Sequence, residues 1–430
     1  MKRIVLSTFG SFGDVHPYIA LALELQRRGH DPVIATSEIY REKMDAIGLE
    51  LHPVRPELPS IDEPDEVQRM VAELMDAKQG PEKLFRQHML PHVREMYEDL
   101  SAAARGADLL LTHPLPFVGP IVAEKIGLKW ASSVLAPISL ASVYDPPVPP
   151  QFPALHQVLK RSRTFSRLLL ALAKRMFDPM FEPVYQLRAG LGLPPRAGHP
   201  VFEGQHSPAL VLALFSPLVG PPQPDWPANA RATGFCFYDR RDYRGEIIAA
   251  PELLKFLDAG PPPLLFTLGS SAIWVAQDFY CESLAAARAL GRRAILLIGE
   301  ERNRPAAPLP EGVAVFDYVP FGEVMPRAAA IVHQGGIGTT AQALRAGRPT
   351  LVVPFAFDQQ DNAARVARLG TSRTLPRAKY KAARVAEELK KLLDEPGYAK
   401  EAESVGQRVR NEDGIGVACD ELERMLTAPE

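Results

Sequence analysis

The chain holds 430 residues, of which 46% are hydrophobic, 23% charged and 8% aromatic. Such a composition can bury a core, which excludes disorder as the main state, and the length suits two or three domains. Lys and Arg number 49 against 51 Asp and Glu, so no basic excess invites a nucleic-acid backbone and a dedicated nucleic-acid binder is disfavoured.

Ile4-Val5-Leu6 is a short apolar run closed by a turn, as a buried parallel strand requires. Gly10-Ser11-Phe12-Gly13-Asp14 follows. The next helix is expected to open near Pro17, a residue suited to the first helical position, and to stop at Gly29. Pro32-Val33-Ile34-Ala35 reads as the second strand, so the chain opens on a βαβ unit. The alternation continues with strands expected at residues 49–54, 108–112, 129–135 and 209–215. Between them lie a long helix over 82–104, bent at Pro91, and an interrupted helical stretch over 155–191. Proline is the compositional outlier, 42 residues against a usual ~5%, and its clusters mark loops and linkers. Beyond the proline-rich stretch 216–230 the pattern restarts. Strands are expected at 263–268, 293–298, 313–316, 330–333 and 350–353, and helices at 279–290, 338–345, 360–369 and 383–394.

Strands alternating with helices predict parallel sheets in both halves. The expected fold class is α/β, two Rossmann-like doubly wound domains facing a cleft, because ligands of such sheets sit beyond the carboxyl ends of the strands. The expected division is 1–215, a linker 216–230, 231–410, and a helix within 411–430 that crosses back to the first domain. Cys236, Cys281 and Cys419 are too few for a disulfide scaffold and lack metal-site spacing, which predicts reduced thiols in a cytoplasmic protein. The N-terminal apolar run is too short for a signal peptide. No stretch approaches the ~18 apolar residues of a membrane span. The longest apolar piece, residues 168–173, is bracketed by Arg and Lys, which leaves peripheral contact with a membrane surface open.

The most specific signal lies between His333 and Asn362. It reads His333-Gln334-Gly335-Gly336-Ile337-Gly338-Thr339-Thr340, then Ala346-Gly347-Arg348-Pro349, then Asp358-Gln359-Gln360-Asp361-Asn362. Glycines between a strand and a helix let the backbone approach a bulky anion, and the helix N-terminus offers it free N–H groups. Alone, this is equally the signature of tight helix–sheet packing. The three blocks in register resemble the donor-binding region of family 1 glycosyltransferases, which have the GT-B fold. The wording around the glycines is most similar to the bacterial and sterol-glucosyltransferase branch.

The resemblance implies that His333, Gly335, Gly336, Gly338 and Thr339 hold a nucleotide diphosphate, and that Asp358 and Gln359 bind the transferred sugar. It implies diphosphate contacts from Ser270 or Ser271, in Leu268-Gly269-Ser270-Ser271, and a nucleobase contact at Val319, in Asp317-Tyr318-Val319-Pro320. One departure is Ala341, which stands where plant members carry a glutamate for the ribose. In the first half, Gly10 to Pro17 resembles the family loop that carries the catalytic base, with Asp14 in the base's register. The competing reading of Asp14 is a helix cap. His113, which follows the strand 108–112, is a candidate partner of Asp14 or an uninvolved loop histidine.

The implied activity is an inverting, metal-independent transfer of a sugar to a hydroxyl of a lipophilic small molecule. The donor is expected to be UDP-glucose, a co-substrate, with no resident cofactor. No Asp-x-Asp carboxylate pair occurs to hold an octahedral ion. His88 and His92, four apart, lack a third ligand. Phe12, Phe85, Phe117, Trp130 and Phe152 are candidates for the acceptor pocket or for plain core. Two alternatives stay open: a nucleotide-sugar epimerase or hydrolase of the same fold, and a non-catalytic glycosyltransferase partner. Oligomeric state is open.

Overall fold

In this computed structural model residues 1–60, 62–149, 152–195, 198–238 and 251–427 are described. The apolar runs form strands buried on both faces, as parallel sheets covered by helices demand. The first sheet contains β1 (Arg3–Ser7), β2 (Asp31–Thr36), β3 (Glu50–Pro53), β4 (Leu109–Thr112), β5 (Trp130–Val134), β6 (Val211–Ala213) and β7 (Ala230–Ala232). Their order is β3-β2-β1-β4-β5-β6-β7, and every pair is parallel. The second contains β8 (Leu264–Thr267), β9 (Ala294–Leu297), β10 (Val313–Phe316), β11 (Ala330–His333), β12 (Thr350–Val352) and β13 (Ser372–Thr374). Its order is β10-β9-β8-β11-β12-β13, again all parallel.

Both sheets reverse direction between two central neighbours, β1 and β4 in the first and β8 and β11 in the second. Such a switch point opens a crevice at the strands' carboxyl ends. Asp14 and His113 follow β1 and β4, whereas Ser270 and His333 follow or end β8 and β11. The strand order therefore accounts for where the candidate site residues of each half lie.

The chain divides into two compact units. One comprises residues 1–63, 79–238 and 412–430, and the other 64–78 and 239–411. The boundary expected at residue 231 is corrected, because 230–232 pair with β6 as the seventh strand of the first sheet. The helix Pro64–Leu74, unread in the sequence, belongs to the second unit. There Met75 lies in the core with Phe279, Tyr280 and Tyr380, and Val71 packs against it. The helix Gly414–Thr427 belongs to the first unit, where Arg28 donates to Asp420 at 2.6 Å and to Glu423 at 2.7 Å.

Two further expectations are corrected. The first helix runs from Phe12 to Arg27, so Pro17 is an interior residue and does not open it. Ser11 starts the helix earlier through a capping box with Asp14. The long helix expected over 82–104 is broken into Gly80–Lys83, a π-turn at Leu84–Met89, a 3-10 turn at Leu90–His92 and Val93–Ala103. Pro91 lacks the N–H that a continuous helix would use.

Candidate active site

β11 ends on His333, whose side chain is 1% exposed. Its Nδ1 accepts the Gly335 N–H at 3.1 Å. Burial pulls the imidazole down to about 4, so at neutral pH it is uncharged with the proton on Nε2. The ring can therefore offer a neutral N–H donor.

Gly335 has φ +91°, and a Cβ there would lie 2.7 Å from Val352 Cγ1 and 3.1 Å from the Gln359 carbonyl. Only glycine takes that turn against the next strand. Gly336 then caps the helix Ile337–Ala346, without a side-chain cap. The Thr340 N–H returns to the Gly336 carbonyl at 2.9 Å. The amides of Ile337, Gly338 and Thr339 precede that first turn and have no partner within the helix. A helix start with uncapped amides beside a neutral imidazole donor is suited to a large anion.

The loop after β8 lies against this turn. A Cβ on Gly269, φ +64°, would meet Gln334 Nε2 at 2.4 Å and Thr339 Oγ1 at 3.0 Å. Ser270 and Ser271 follow, half-buried, in the short helix Gly269–Ala272. Expected separately from sequence, these serines and the glycine turn are neighbours in the second unit.

The segment after β12 is built just as tightly. Gln359 Oε1 accepts the Phe355 N–H at 2.8 Å and the Ala356 N–H at 3.2 Å, which leaves the amide nitrogen as its remaining donor. Phe357 is held at φ +54°, a left-handed conformation that costs a bulky residue of order 1–3 kcal/mol. Asn362 donates to the Gly335 carbonyl at 2.9 Å and to Asp358 Oδ2 at 2.7 Å. One side chain thus ties the glycine turn to Asp358. The sequence reading gave Asn362 no role of its own, although its spacing four residues after Asp358 on a helix was the available signal.

Val319 is a candidate nucleobase contact through a ring or the backbone of its stretch. It is 1% exposed and packs in the cluster that includes Val324, Met325 and Ile331, so only its backbone can face a ligand.

In the first unit Asp14 is the third residue of its helix. Its Oδ2 accepts the Ser11 N–H at 2.9 Å and the Ser11 hydroxyl at 3.2 Å. Oδ1 takes no part in these bonds. Gly10, φ +132°, makes room for the carboxylate, since a Cβ there would stand 2.4 Å from Oδ2. Burial pushes the carboxyl up to about 6, while the Ser11 hydrogen bonds pull it down. The group is therefore mostly ionised at pH 7 yet close enough to neutrality to take a proton. Two residues on, His16 is drawn down to about 3 by burial and by Lys43, whose Nζ lies 3.1 Å from Nε2.

A direct Asp14–His113 relay is corrected. His113 Nδ1 accepts the Leu115 N–H at 3.4 Å, and its ring stands edge-on to Tyr18 with centroids 6.1 Å apart. Asp14 bonds to Ser11 instead, and no hydrogen bond joins the two candidates. Burial lowers His113 to about 3, so it is neutral.

Of the candidate pocket aromatics, Phe117 and Trp130 are core, 5% and 7% exposed, and Phe85 packs on Phe117 at 5.6 Å. Phe12 is in the first turn of the helix that carries Asp14, beside His16, and Phe152 is exposed. His88 and His92 fall in the π-turn and the 3-10 turn. Among the described residues no group of three or more His, Cys, Asp or Glu is placed to hold a metal ion.

Residues 4–144 match the glycosyltransferase family 28 N-terminal domain, and residues 282–416 the erythromycin biosynthesis protein CIII-like C-terminal domain. The O-mycaminosyltylonolide 6-deoxyallosyltransferase of Streptomyces fradiae is 32% identical over 97% of this chain and 96% of its own length. The chain belongs to the family 1 glycosyltransferases. This glycosyltransferase is also 29% identical to the vancomycin aglycone glucosyltransferase of Amycolatopsis orientalis, over 86% of the chain and 84% of that protein. Its fold matches the solved glycosyltransferase VinC in complex with DTDP at a TM-score of 0.68, with 22% identity and 99% of each chain covered. The protein is thus a sugar-transferring enzyme of the GT-B type, as the resemblance implied.

Proposed function

We propose that this enzyme transfers a sugar with inversion, without a metal ion, from a pyrimidine nucleoside diphosphate to a hydroxyl of a lipophilic natural product. Asp14 takes the acceptor's proton as the new oxygen–carbon bond forms at the sugar's anomeric carbon. The bond from that carbon to the diphosphate oxygen breaks, and the diphosphate leaves with the electron pair. His333 Nε2–H, the amides of residues 337–339 and the Ser270 and Ser271 hydroxyls receive its growing charge, already in place before the bond breaks. The remaining Gln359 N–H donor and Asp358 orient the sugar hydroxyls. The observation that carries this reading is the turn at Gly335 and Gly336, which sets a neutral imidazole donor beside an uncapped helix start.

The nucleotide is proposed to be thymidine diphosphate, as in the VinC complex, and the acceptor a compound like the O-mycaminosyltylonolide in the name of the Streptomyces fradiae relative. UDP-glucose, the donor expected from sequence, is the competing arm. Calorimetric titration with dTDP, UDP and GDP tests the base. Mass spectrometry of reactions with macrolide, phenolic and sterol acceptors tests the transfer. Tighter UDP binding would reverse the nucleotide assignment. Free sugar released at the same rate without acceptor would favour the hydrolase.

A further inference from the structure

The helix Arg163–Phe177 of the first unit carries an unusual surface. Phe165, Leu168, Leu172 and Met176 are 38%, 66%, 50% and 71% exposed. At 3.6 residues per turn these four fall within about 80° of one another and form a single stripe. The helix is held to the protein through another face, where Ser166 is buried and donates to the Leu159 carbonyl at 2.9 Å. Earlier in the same segment Val158, 47% exposed, and Phe152, 68% exposed, line an open apolar hollow of about 600 Å³. Isolated exposed leucines need no explanation, but a contiguous apolar stripe marks a binding surface.

The charges around it select the partner. Residues 146–177 contain six Lys and Arg and no Asp or Glu, in a chain whose formal net charge is −2. Lys174 pairs with Glu203, and Arg163 lies over the Tyr144 ring at 4.4 Å. Lys160, Arg161, Arg167 and Arg175 make no side-chain hydrogen bond or ion pair among the described residues. A protein interface core is depleted in unpaired charge. A second copy would bring like charges together, which repel. Exposed Phe, Leu and Met beside free Arg and Lys fit an anionic bilayer, with the stripe among the acyl chains and the cations at the headgroups.

We propose that this helix docks the enzyme peripherally on anionic membranes. The proposal is independent of donor chemistry. Its test is flotation of the full chain with vesicles of phosphatidylglycerol and phosphatidylcholine, against vesicles of phosphatidylcholine alone, over a range of salt. The expected result is partitioning onto the anionic vesicles that falls as salt rises. The double variant Leu168→Glu/Leu172→Glu should lose at least about tenfold of that binding. Arg167→Gln/Arg175→Gln should lose about fivefold per arginine on anionic vesicles and nothing on neutral ones. All four positions are exposed, and an unchanged thermal midpoint and unchanged nucleotide affinity establish that each variant is folded. No binding at low salt, or equal binding by both variants, overturns the proposal. So does a dimer that the leucine variant dissociates, since the stripe would then belong to a second copy.

Discussion

Replacing Asp14 by asparagine separates the capping role of its carboxylate from the proposed base role. Asparagine keeps an oxygen that can accept the Ser11 N–H, now 2.9 Å from Oδ2, so the helix start survives. Alanine loses that bond, a cost of about 1 kcal/mol for a capping group. Burial raises the Asp14 carboxyl from 3.8 to about 6 in the fold, so folding favours its protonated form. The associated stability is complete below pH ~4 and is lost as pH rises through ~6. At about 1.4 kcal/mol per tenfold, and discounted for a half-buried side chain, this comes to about 1–3 kcal/mol. Asp14→Asn should therefore be more stable than the parent above pH ~6 and equal to it below pH ~4. Activity should move the other way. With the carboxyl at about 6, roughly 90% is ionised at pH 7 and about 10% at pH 5, so kcat/KM should fall about tenfold between them. The asparagine variant should lose about 10²–10⁴-fold of turnover at pH 7 while binding dTDP unchanged. Denaturation curves, pH–rate profiles by chromatography of the glycoside, and calorimetry measure the three effects. A variant retaining a large fraction of turnover, or a parent profile flat from acid to neutral pH, refutes the base assignment.

Four other outcomes follow from the second unit. If His333, held near 4, binds as the proposed neutral donor, nucleotide affinity should stay flat from pH ~6 to ~8; calorimetry at several pH values would detect the loss with rising pH expected of an imidazolium. His333→Ala should weaken binding about tenfold, the loss of one hydrogen bond to a charged group. Gly335→Ala should destabilise the fold by about 1–3 kcal/mol, since its Cβ would sit 2.7 Å from Val352 Cγ1 at φ +91°, and thermal unfolding measures this. Gln359→Glu keeps an acceptor for the Phe355 and Ala356 amides but removes the side-chain donor. It should therefore raise the KM for the nucleotide sugar more than the Kd for the bare nucleotide, whereas Gln359→Ala should also lower the thermal midpoint.

What the sequence carried well were the buried strands. Apolar runs such as Ile4-Val5-Leu6 and Leu264-Leu265-Phe266 read clearly because both faces are covered, so no polar residue interrupts them. β7 and β13 were illegible: each is a three-residue edge strand that carries an arginine, Arg231 or Arg373, and offers no apolar run to detect. The helix Pro64–Leu74 shows how helical periodicity can be present while the element's place is not. Nothing local says that it packs in the second unit, because that depends on Met75 and Val71 meeting the core around Tyr280. Asp14 was legible as both cap and base; the structure shows the cap, made through one carboxylate oxygen, and the base role is the proposal. The imagined link to His113 failed because proximity of two loops in strand order does not fix where an imidazole finds its hydrogen bond.

The chain leaves its first unit after residue 238 and re-enters it at 412. Where it does so, the Gly234 and Gly414 backbones press together so closely that a Cβ on Gly414 would meet the Phe235 carbonyl at 2.4 Å. Genetically, the second unit is thus an insert spliced between two touching ends, and residues 64–78 are a separate fragment of it encoded far upstream. Exchanging the second unit with that of a relative takes more than one crossover in the middle of the gene. In this chain a single crossover would strand the upstream fragment and the terminal helix with the wrong parent. A productive chimera needs cuts at both touching ends and a matching graft of residues 64–78.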